Sequence, residues 1–340
     1  MRLFNSNLPI CVVHKPGSRV LYPKGKILMT KNKVFCSAVA LFACTIFTVS
    51  AWAQQPAPKL TMKMLKPDVW VGLGGAGGNS TIIIAQNSVI VVDAKQTEPG
   101  AKDLLAEIAK ITPKPVKTVF MTHSDGDHVN GIVAFPKDVK VITHENNKKE
   151  QEAAIAAGGR GAPPADRLPQ QVVTKNKEEM TIDGVKLELL HFAPAHTSGD
   201  LIVYYPAEKI VSTGDIVTTN RADDNPNVHF EKNGSTEGWL ANVKGMIALN
   251  ADTYVVGHGD LATKADLQRK FTATTERRNK IAAMVKQGKS LDEIKAALPD
   301  APAPGAPPAA APAPRPANAP PPPLTFVETA YKEITKTASK

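Results

Sequence analysis

Five short apolar segments, rich in β-branched residues, are each followed at once or after a short loop by a histidine or an aspartate. Such segments, punctuated by Gly and Asn, are typical of buried β-strands. Open sheets collect ligand-binding groups at the carboxyl ends of their strands. The sequence therefore predicts a sheet fold that gathers five strand-end residues at one edge: Asp93, His123, His196, Asp215 and His258.

One loop contains further candidate metal ligands. The stretch THSDGDHVNG, residues 122 to 131, holds His123, Asp125, Asp127 and His128 within six positions. Two imidazoles and two carboxylates this close would perturb one another's titration unless a cation lay between them. Imidazole and carboxylate ligands suit zinc, and also iron and manganese. The loop therefore predicts a metal site, and two neighbouring metals would supply a Lewis acid and a bridging hydroxide for hydrolysis.

The three remaining histidines of the chain beyond the leader lack such a pattern. They are interpreted as ordinary, hydrogen-bonded histidines without a metal role: His144, His191 and His229.

The positions of the cysteines exclude a thiolate metal ligand from the mature chain, because all three cysteines precede residue 54. A mature chain that begins there has neither a cysteine nucleophile nor a cysteine metal ligand, which suits an oxidising compartment.

The first 53 residues have the pattern of an export signal. Lys31 and Lys33 precede an apolar run that ends at Ala51-Trp52-Ala53, so a signal peptide cleaved after Ala53 is predicted, with a periplasmic or secreted product. An uncleaved anchor is the alternative; after cleavage no stable membrane span is expected. The leader holds seven of the 41 basic residues and none of the 32 acidic ones, so its removal lowers the formal charge from +9 to +2. The basic character of the whole chain is therefore no argument for a nucleic-acid partner.

The mature chain divides into three parts. Residues 54 to 298 are predicted as one domain, beginning with a polar lead-in over residues 54 to 66. Strands first follow one another and then mix with helices without a regular βαβ repeat, which predicts mixed sheets covered by helices. Thr97 and Ser290 are predicted helix caps.

The C-terminal part differs in composition. Residues 299 to 323 contain twelve of the 28 prolines and few apolar side chains, so they are predicted to form an extended spacer. A Pro-rich ligand for a partner protein is the alternative. Residues 324 to 340 are predicted to form a helix that begins at a Thr325–Glu328 capping box and packs back on the domain.

Four motifs occur in a fixed order after predicted strands: THSDGDHVNG, PAHTSGD, STGD and VGHGD. Together with the Gly-rich segment GLGGAGGNST, they resemble the signature of the metallo-β-lactamase superfamily over residues 60 to 298. The resemblance implies an α/β fold, a four-layered αβ/βα sandwich with mixed β-sheets, and a dinuclear metal site. It is specific for the superfamily and says little about the substrate.

The resemblance also implies a role for each motif residue. His123 and His196 would bind the first metal, Asp127, His128 and His258 would bind the second, and Asp215 would bridge the two. From our own reading of the site, we also expect Asp127 to orient the nucleophile and accept its proton. Asp93 would support the motif loop without binding metal. Members that hydrolyse β-lactams carry Cys or Ser in place of Asp215, whereas thioesterase, lactonase and phosphodiesterase members carry Asp.

Asp125 departs from the family pattern. The usual loop is H-x-H-x-D-H, and here Asp125 stands where the second histidine is expected. We interpret Asp125 as a working anionic ligand, which shifts the first site towards manganese or iron without excluding zinc. The alternative is that Asp125 turns away and leaves that site weak.

Two functions are compatible with these residues. The first is a metal-dependent hydrolase with two divalent ions, most simply Zn²⁺, that cleaves a small ester, lactone, thioester or β-lactam amide. The second is a metal-binding sensor or interaction protein on the same fold that has lost turnover. A small-molecule substrate and no nucleic-acid partner are expected for the hydrolase.

Overall fold

A computed structural model describes residues 59–158, 162–221, 224–300 and 323–338. All of them belong to one compact unit, Gln54–Lys340. The predicted export signal and nearly all of the predicted Pro/Ala spacer lie outside the described residues, so both stay predictions. Among the residues that are described, no helix combines the length and the apolar character needed to cross a bilayer.

Seven strands form the first sheet, in the order in which they occur along the chain. Strands one to four form an antiparallel meander, and strands four to seven run parallel to one another. The sheet is therefore mixed, as predicted. Its strands are β1 (Leu60–Lys66), β2 (Val69–Gly74), β3 (Ser80–Ile84), β4 (Val89–Val92), β5 (Val116–Phe120), β6 (Lys140–His144) and β7 (Gln171–Val173).

Five strands form the second sheet, which is also mixed. Its last two strands in chain order pair in parallel, and the other neighbours are antiparallel. This places the ends of those two strands at the same edge. The strands are β8 (Lys177–Ile182), β9 (Val185–Leu190), β10 (Ile202–Tyr205), β11 (Ile210–Gly214) and β12 (Thr253–Val256).

Helices cover the outer face of each sheet. Strand β4 shows why: Ile90 and Val92 enter the core between the sheets, whereas Val89 and Val91 face outwards. This alternation follows the two-residue period of a strand. Both faces of the sheet are apolar, so both must be covered. The helices are α1 (Glu98–Ile111), α2 (Gly126–Val129), α3 (Glu145–Ala156), α4 (Thr236–Ala248), α5 (Lys264–Lys286), α6 (Leu291–Ala297) and α7 (Phe326–Ala338).

Each outer layer packs through its own apolar cluster. Leu104 and Ile108 of α1 pack on the outer face of the first sheet. Trp239 and Val243 of α4, together with Leu267 of α5, pack on the second. The four layers therefore form an αβ/βα sandwich, which confirms the predicted fold.

The helix caps that were predicted from the sequence are present in the structure. The Thr97 side chain accepts a hydrogen bond from the Gly100 N–H and caps α1. Ser290 and Glu293 form a reciprocal capping box at the start of α6. Both predicted caps are confirmed, because each satisfies backbone N–H groups that have no partner within the helix.

The predicted polar lead-in over residues 54 to 66 is wrong in its second half, where β1 pairs with β2. Leu60 and Met62 alternate with polar residues and pack beside the cluster under α1. This is the two-residue period of an edge strand with one buried face.

The C-terminal helix packs on the domain, as predicted. Phe326, Val327 and Ala330 of α7 are buried against Ile281 of α5 and Ile294 of α6. The Glu333 carboxylate accepts a hydrogen bond of 2.8 Å from the Thr236 N–H at the start of α4. Helix α7 therefore helps to hold the helical layer over the second sheet.

Phe326→Ala is expected to lower the free energy of unfolding by about 3 kcal/mol, because it removes a buried aromatic ring and leaves a cavity. Met64→Ala, at a largely exposed side chain of β1, is the matched control and should change it by less than about 0.5 kcal/mol. Denaturant unfolding of the full chain measures both. Equal values for the two variants would contradict the docked position of α7.

Candidate metal centre

The two sheets bring their strand ends to one place. Asp93 follows β4 and His123 lies just beyond β5, which is its parallel neighbour in the first sheet. Asp215 follows β11 and His258 lies just beyond β12 in the second sheet. Hydrogen bonds join the loops across the sheets, such as the one from the Leu201 N–H to the Thr122 carbonyl, at 2.7 Å. The edges therefore meet, and His196 is on the loop between β9 and β10.

Asp93 holds the motif loop in position. Its carboxylate accepts hydrogen bonds of 2.8 Å from the N–H and the hydroxyl of Thr122. The same carboxylate lies 2.8 Å from His128 Nδ1. Asp93 adopts a φ of 68°, in the left-handed region that Asp tolerates better than most residues. Its contacts are those expected of a supporting residue, because it orients the ring of His128.

The seven predicted ligands assemble into three overlapping groups. The atoms of each group lie within 4.8 Å of one another. His123 and His128 each belong to two of the groups, so the groups form one continuous cluster. The groups are His123, Asp125 and His196; His123, His128 and Asp215; and Asp127, His128 and His258.

The donor atoms of this cluster fit divalent cations. Among the described residues, His123 Nε2 and Asp215 Oδ1 are buried without a hydrogen-bond partner. The Nε2 atoms of His128 and His258 face each other at 3.3 Å, and Asp127 Oδ2 lies 2.9 Å from His258 Nε2. Buried polar atoms normally find partners, and a cation satisfies such a set of nitrogens and carboxylates together.

Other contacts select the imidazole nitrogens that face the cluster. His196 Nδ1 lies 2.8 Å from the Asn227 carbonyl, so its Nε2 points at Asp125. His128 Nδ1 is held by Asp93, so its Nε2 faces Asp215 at 3.2 Å. Such outer contacts fix the tautomer and orientation of metal-binding imidazoles.

The side chain of Asp125 turns into the cluster. Its Oδ2 lies 3.0 Å from His196 Nε2 and 3.7 Å from His123 Nε2. Its Oδ1 contacts the Lys232 ammonium, which also donates to Ser124 Oγ at 3.0 Å. Burial opposes ionisation of Asp125, but His196, His123 and Lys232 together hold its pKa far below the ordinary range. Asp125 is therefore a carboxylate placed where the predicted ligand is needed.

The pKa values of three further groups in the cluster are also shifted by their neighbours. Burial, and then His128, lower the pKa of His123 well below its ordinary value, which favours the neutral imidazole that binds metals. Burial alone would raise the pKa of Asp215, but His128 and His123 lower it. Burial would lower the pKa of His128, but Asp215 and Asp93 raise it well above its usual value. Carboxylates therefore stay ionised at the centre of a cluster of imidazoles.

Two residues at this site were not singled out from the sequence. Lys232 was given no role, although it contacts Asp125. His229 was interpreted as an ordinary histidine, yet its Nε2 lies 3.3 Å from Asp125 Oδ2 and its ring packs edge-on against His196. None of the three ligand groups includes His229, His144 or His191, and the last two stack on each other.

The Gly-rich segment closes one side of the site. A Cβ atom on Gly78 would lie 2.2 Å from the ring of His128, so no larger residue fits there. The ammonium of Lys95 donates to the carbonyls of Gly72, Gly74 and Gly78 at 3.1, 2.8 and 2.7 Å. Burial, opposed by Asp93, lowers the pKa of Lys95 to about 8. The segment is therefore held tightly against the motif loop.

The cluster opens into a small polar cleft of about 260 Å³. Carboxylates of the cluster and polar residues of the loop after β11 line it. The lining residues are Asp125, Asp127, Asp215, Thr218, Asn220, Arg221, Asn227 and His258.

The fold and the cluster of histidines and aspartates agree with a comparison to known protein families. The family model of the metallo-beta-lactamase superfamily matches residues 73–258, and the chain belongs to this superfamily. Membership confirms the family that was predicted from the four motifs.

The individual proteins that resemble this chain do so at low sequence identity. The chain is 26% identical over 203 residues to the 2,4-dinitroanisole O-demethylase subunit alpha of Nocardioides sp. (strain JS1661), covering 59% of this chain and 58% of that protein. It is 22% identical over 219 residues to a linear primary-alkylsulfatase of Pseudomonas sp. (strain ATCC 19151), covering 52% of this chain and 40% of that protein. The chain thus spans about half the length of these two relatives.

A solved structure with the same fold is that of a stereoselective inverting sec-alkylsulfatase from Pseudomonas sp.. It superposes with a TM-score of 0.60 at 19% identity, covering 72% of this chain and 46% of that one. At this identity the likeness supports the sandwich architecture and carries no statement about the substrate.

Asp93→Asn is expected to weaken zinc binding at the site about 10- to 100-fold, because an amide cannot accept from both Thr122 and His128 as the carboxylate does. Asn also tolerates the left-handed backbone at this position, so the fold should persist. Asp103→Asn, at an exposed aspartate of α1, is the matched control. Titration against a competing chelator measures the affinity, and equal affinities in the two variants would refute the supporting role of Asp93.

Proposed function

We propose that the protein is a hydrolase that binds two divalent ions and cleaves a small ester, lactone, thioester or β-lactam amide. The observation that carries the proposal is the overlap of the three ligand groups around shared residues. His123, Asp125 and His196 would hold the first ion, and Asp127, His128 and His258 the second. Asp215 would lie between them, because its carboxylate faces His128, His196 and His258.

Charge balance supports the binding of divalent ions. Asp125, Asp127 and Asp215 bring three negative charges to a partly buried pocket. The Lys232 ammonium beside Asp125 offsets one of them, which leaves an excess of two negative charges. Uncompensated buried charge is costly, so this cluster favours divalent cations. Zinc suits the donor set, and manganese or iron suits the more anionic first site.

Asp127 is the proposed catalytic residue. Its side chain is 30% exposed, and it reaches the cleft while His258 Nε2 lies 2.9 Å from its Oδ2. Burial would raise its pKa, but His258 and His128 lower it, so Asp127 is ionised at neutral pH. When bound, the ions would activate a water and polarise the bond to be cleaved. The carboxylate of Asp127 then orients that water and accepts its proton at Oδ.

The cleft favours the reactive end of a small substrate. Its lining includes the amides of Asn220 and Asn227, which can donate to an ester or lactam oxygen. The names of the relatives point to alkyl sulfates and to the ether 2,4-dinitroanisole, so both chemistries belong among the substrates to be tested.

We also propose export to the periplasm or beyond the cell, on the basis of the leader that ends at Ala53. Mass spectrometry of protein from the native host is expected to give a mature N-terminus at Gln54. An intact chain confined to the cytosolic fraction would contradict this.

Purified protein should contain two divalent ions per chain at saturating supply. Chelation should abolish hydrolysis of at least one member of a panel of esters, lactones, thioesters, cephalosporins, sulfate esters and 2,4-dinitroanisole. Asp125→Ala should keep the second ion and bind the first more weakly, because it removes the anionic ligand. Elemental analysis and turnover assays measure these outcomes. One ion per chain would contradict the dinuclear site, and two ions without turnover on the panel would favour the sensor function.

A further inference from the structure

The motif loop supplies one imidazole fewer than the family pattern. The first ligand group contains the imidazoles of His123 and His196, and the carboxylate of Asp125 takes the place of a third. A carboxylate adds a negative charge and an oxygen donor, but it does not supply the imidazole nitrogen that suits zinc. The question is whether another part of the chain supplies that nitrogen.

His229 lies at the distance expected for such a nitrogen. Its Nε2 is 3.3 Å from Asp125 Oδ2, and His196 Nε2 lies 3.0 Å from the same oxygen. Ligand atoms bound tetrahedrally to one zinc ion at about 2.0–2.1 Å lie roughly 3.3 Å from one another. The separation of His229 and Asp125 therefore matches that of two ligands on one ion.

The other side of the ring is arranged as in metal-binding histidines. His229 Nδ1 lies 2.5 Å from Glu231 Oε1, so Nδ1 donates its proton to that carboxylate. The other ring nitrogen, Nε2, faces the carboxylate of Asp125, so a cation between them would contact both groups. A carboxylate that holds the outer nitrogen of a ligating histidine is a common arrangement in metal sites.

The loop that carries His229 is fixed to the loop that carries His196. The His229 N–H donates to the His196 carbonyl at 2.8 Å, and the Ser235 N–H donates to the Ala195 carbonyl at 2.8 Å. A Cβ atom on Gly234 would lie 2.4 Å from the His196 carbonyl oxygen, so the two loops are in close contact. Displacement of His229 would therefore break contacts of a ligand loop, and its position relative to His196 is well defined.

We propose that His229 is the third imidazole ligand of the first metal ion, supplied from the loop before α4 in place of the motif imidazole that Asp125 replaces. Asp125 serves as the anionic ligand of the same ion, and Lys232 holds its other oxygen. The proposal rests on the first ion of the proposed function. The ordinary alternative is that a protonated His229 forms only an ion pair with Asp125.

Three variants distinguish metal binding by His229 from a simple ion pair with Asp125. They are His229→Ala, the double variant Asp125→His with His229→Ala, and the control Lys149→Ala. Lys149 lines the neighbouring groove, and its side chain is largely exposed. Titration with Zn²⁺ against a chelator gives the affinity of each ion, and the visible spectrum of the Co²⁺-loaded protein reports the ligands of the first.

His229→Ala is expected to keep the second ion and to weaken the first at least about tenfold, with a changed Co²⁺ spectrum. The double variant is expected to recover the first-ion affinity to within a few-fold of the parent, because the motif imidazole then replaces the lost one. Lys149→Ala should match the parent in both measurements.

Two results would overturn the proposal. Unchanged first-ion affinity and spectrum in His229→Ala would leave His229 as an ion-pair partner only. Loss of the first ion without recovery in the double variant would show that His229 acts through the loop rather than on the metal. Failure of the proposed function is distinguishable from both, because the unmodified protein would then bind fewer than two ions.

Discussion

The buried carboxylate of Asp93 is the contact on which the site depends. It accepts hydrogen bonds from Thr122 at the start of the motif loop and holds His128 near its end. One residue at the end of β4 therefore positions a loop that carries four candidate ligands. The core between the sheets keeps β4 in place, so the motif loop is anchored to the packed part of the fold.

Neighbouring side chains compensate for Asp125, which stands where the family pattern has a histidine. Lys232 offsets the added negative charge on one oxygen, and the imidazoles of His196 and His229 face the other. A site with this anionic ligand makes its ion a weaker Lewis acid than three imidazoles alone would. On our proposal, this carboxylate favours manganese or iron relative to the family pattern, and the loop before α4 contributes a ligand to the first ion.

The sequence predicts those residues of the site that are marked by their neighbours in the chain. Strand-end positions identify His123, Asp215 and His258, because apolar runs and their final polar residue are adjacent in the chain. It does not predict Lys232 or His229, since Lys232 meets Asp125 from 107 residues away through the packing of two loops. The absence of one motif imidazole was the signal that could have directed attention to the three unassigned histidines. Strand β1 was missed although its alternation was visible.

Anomalous diffraction from zinc-loaded crystals tests the central claim most directly, because it locates each ion independently of activity. We expect two peaks. One should be contacted by His123, Asp125, His196 and His229, and the other by Asp127, His128 and His258, with Asp215 touching both. A single peak, or a first ion without Asp125 among its ligands, would contradict a dinuclear site rebuilt around this aspartate.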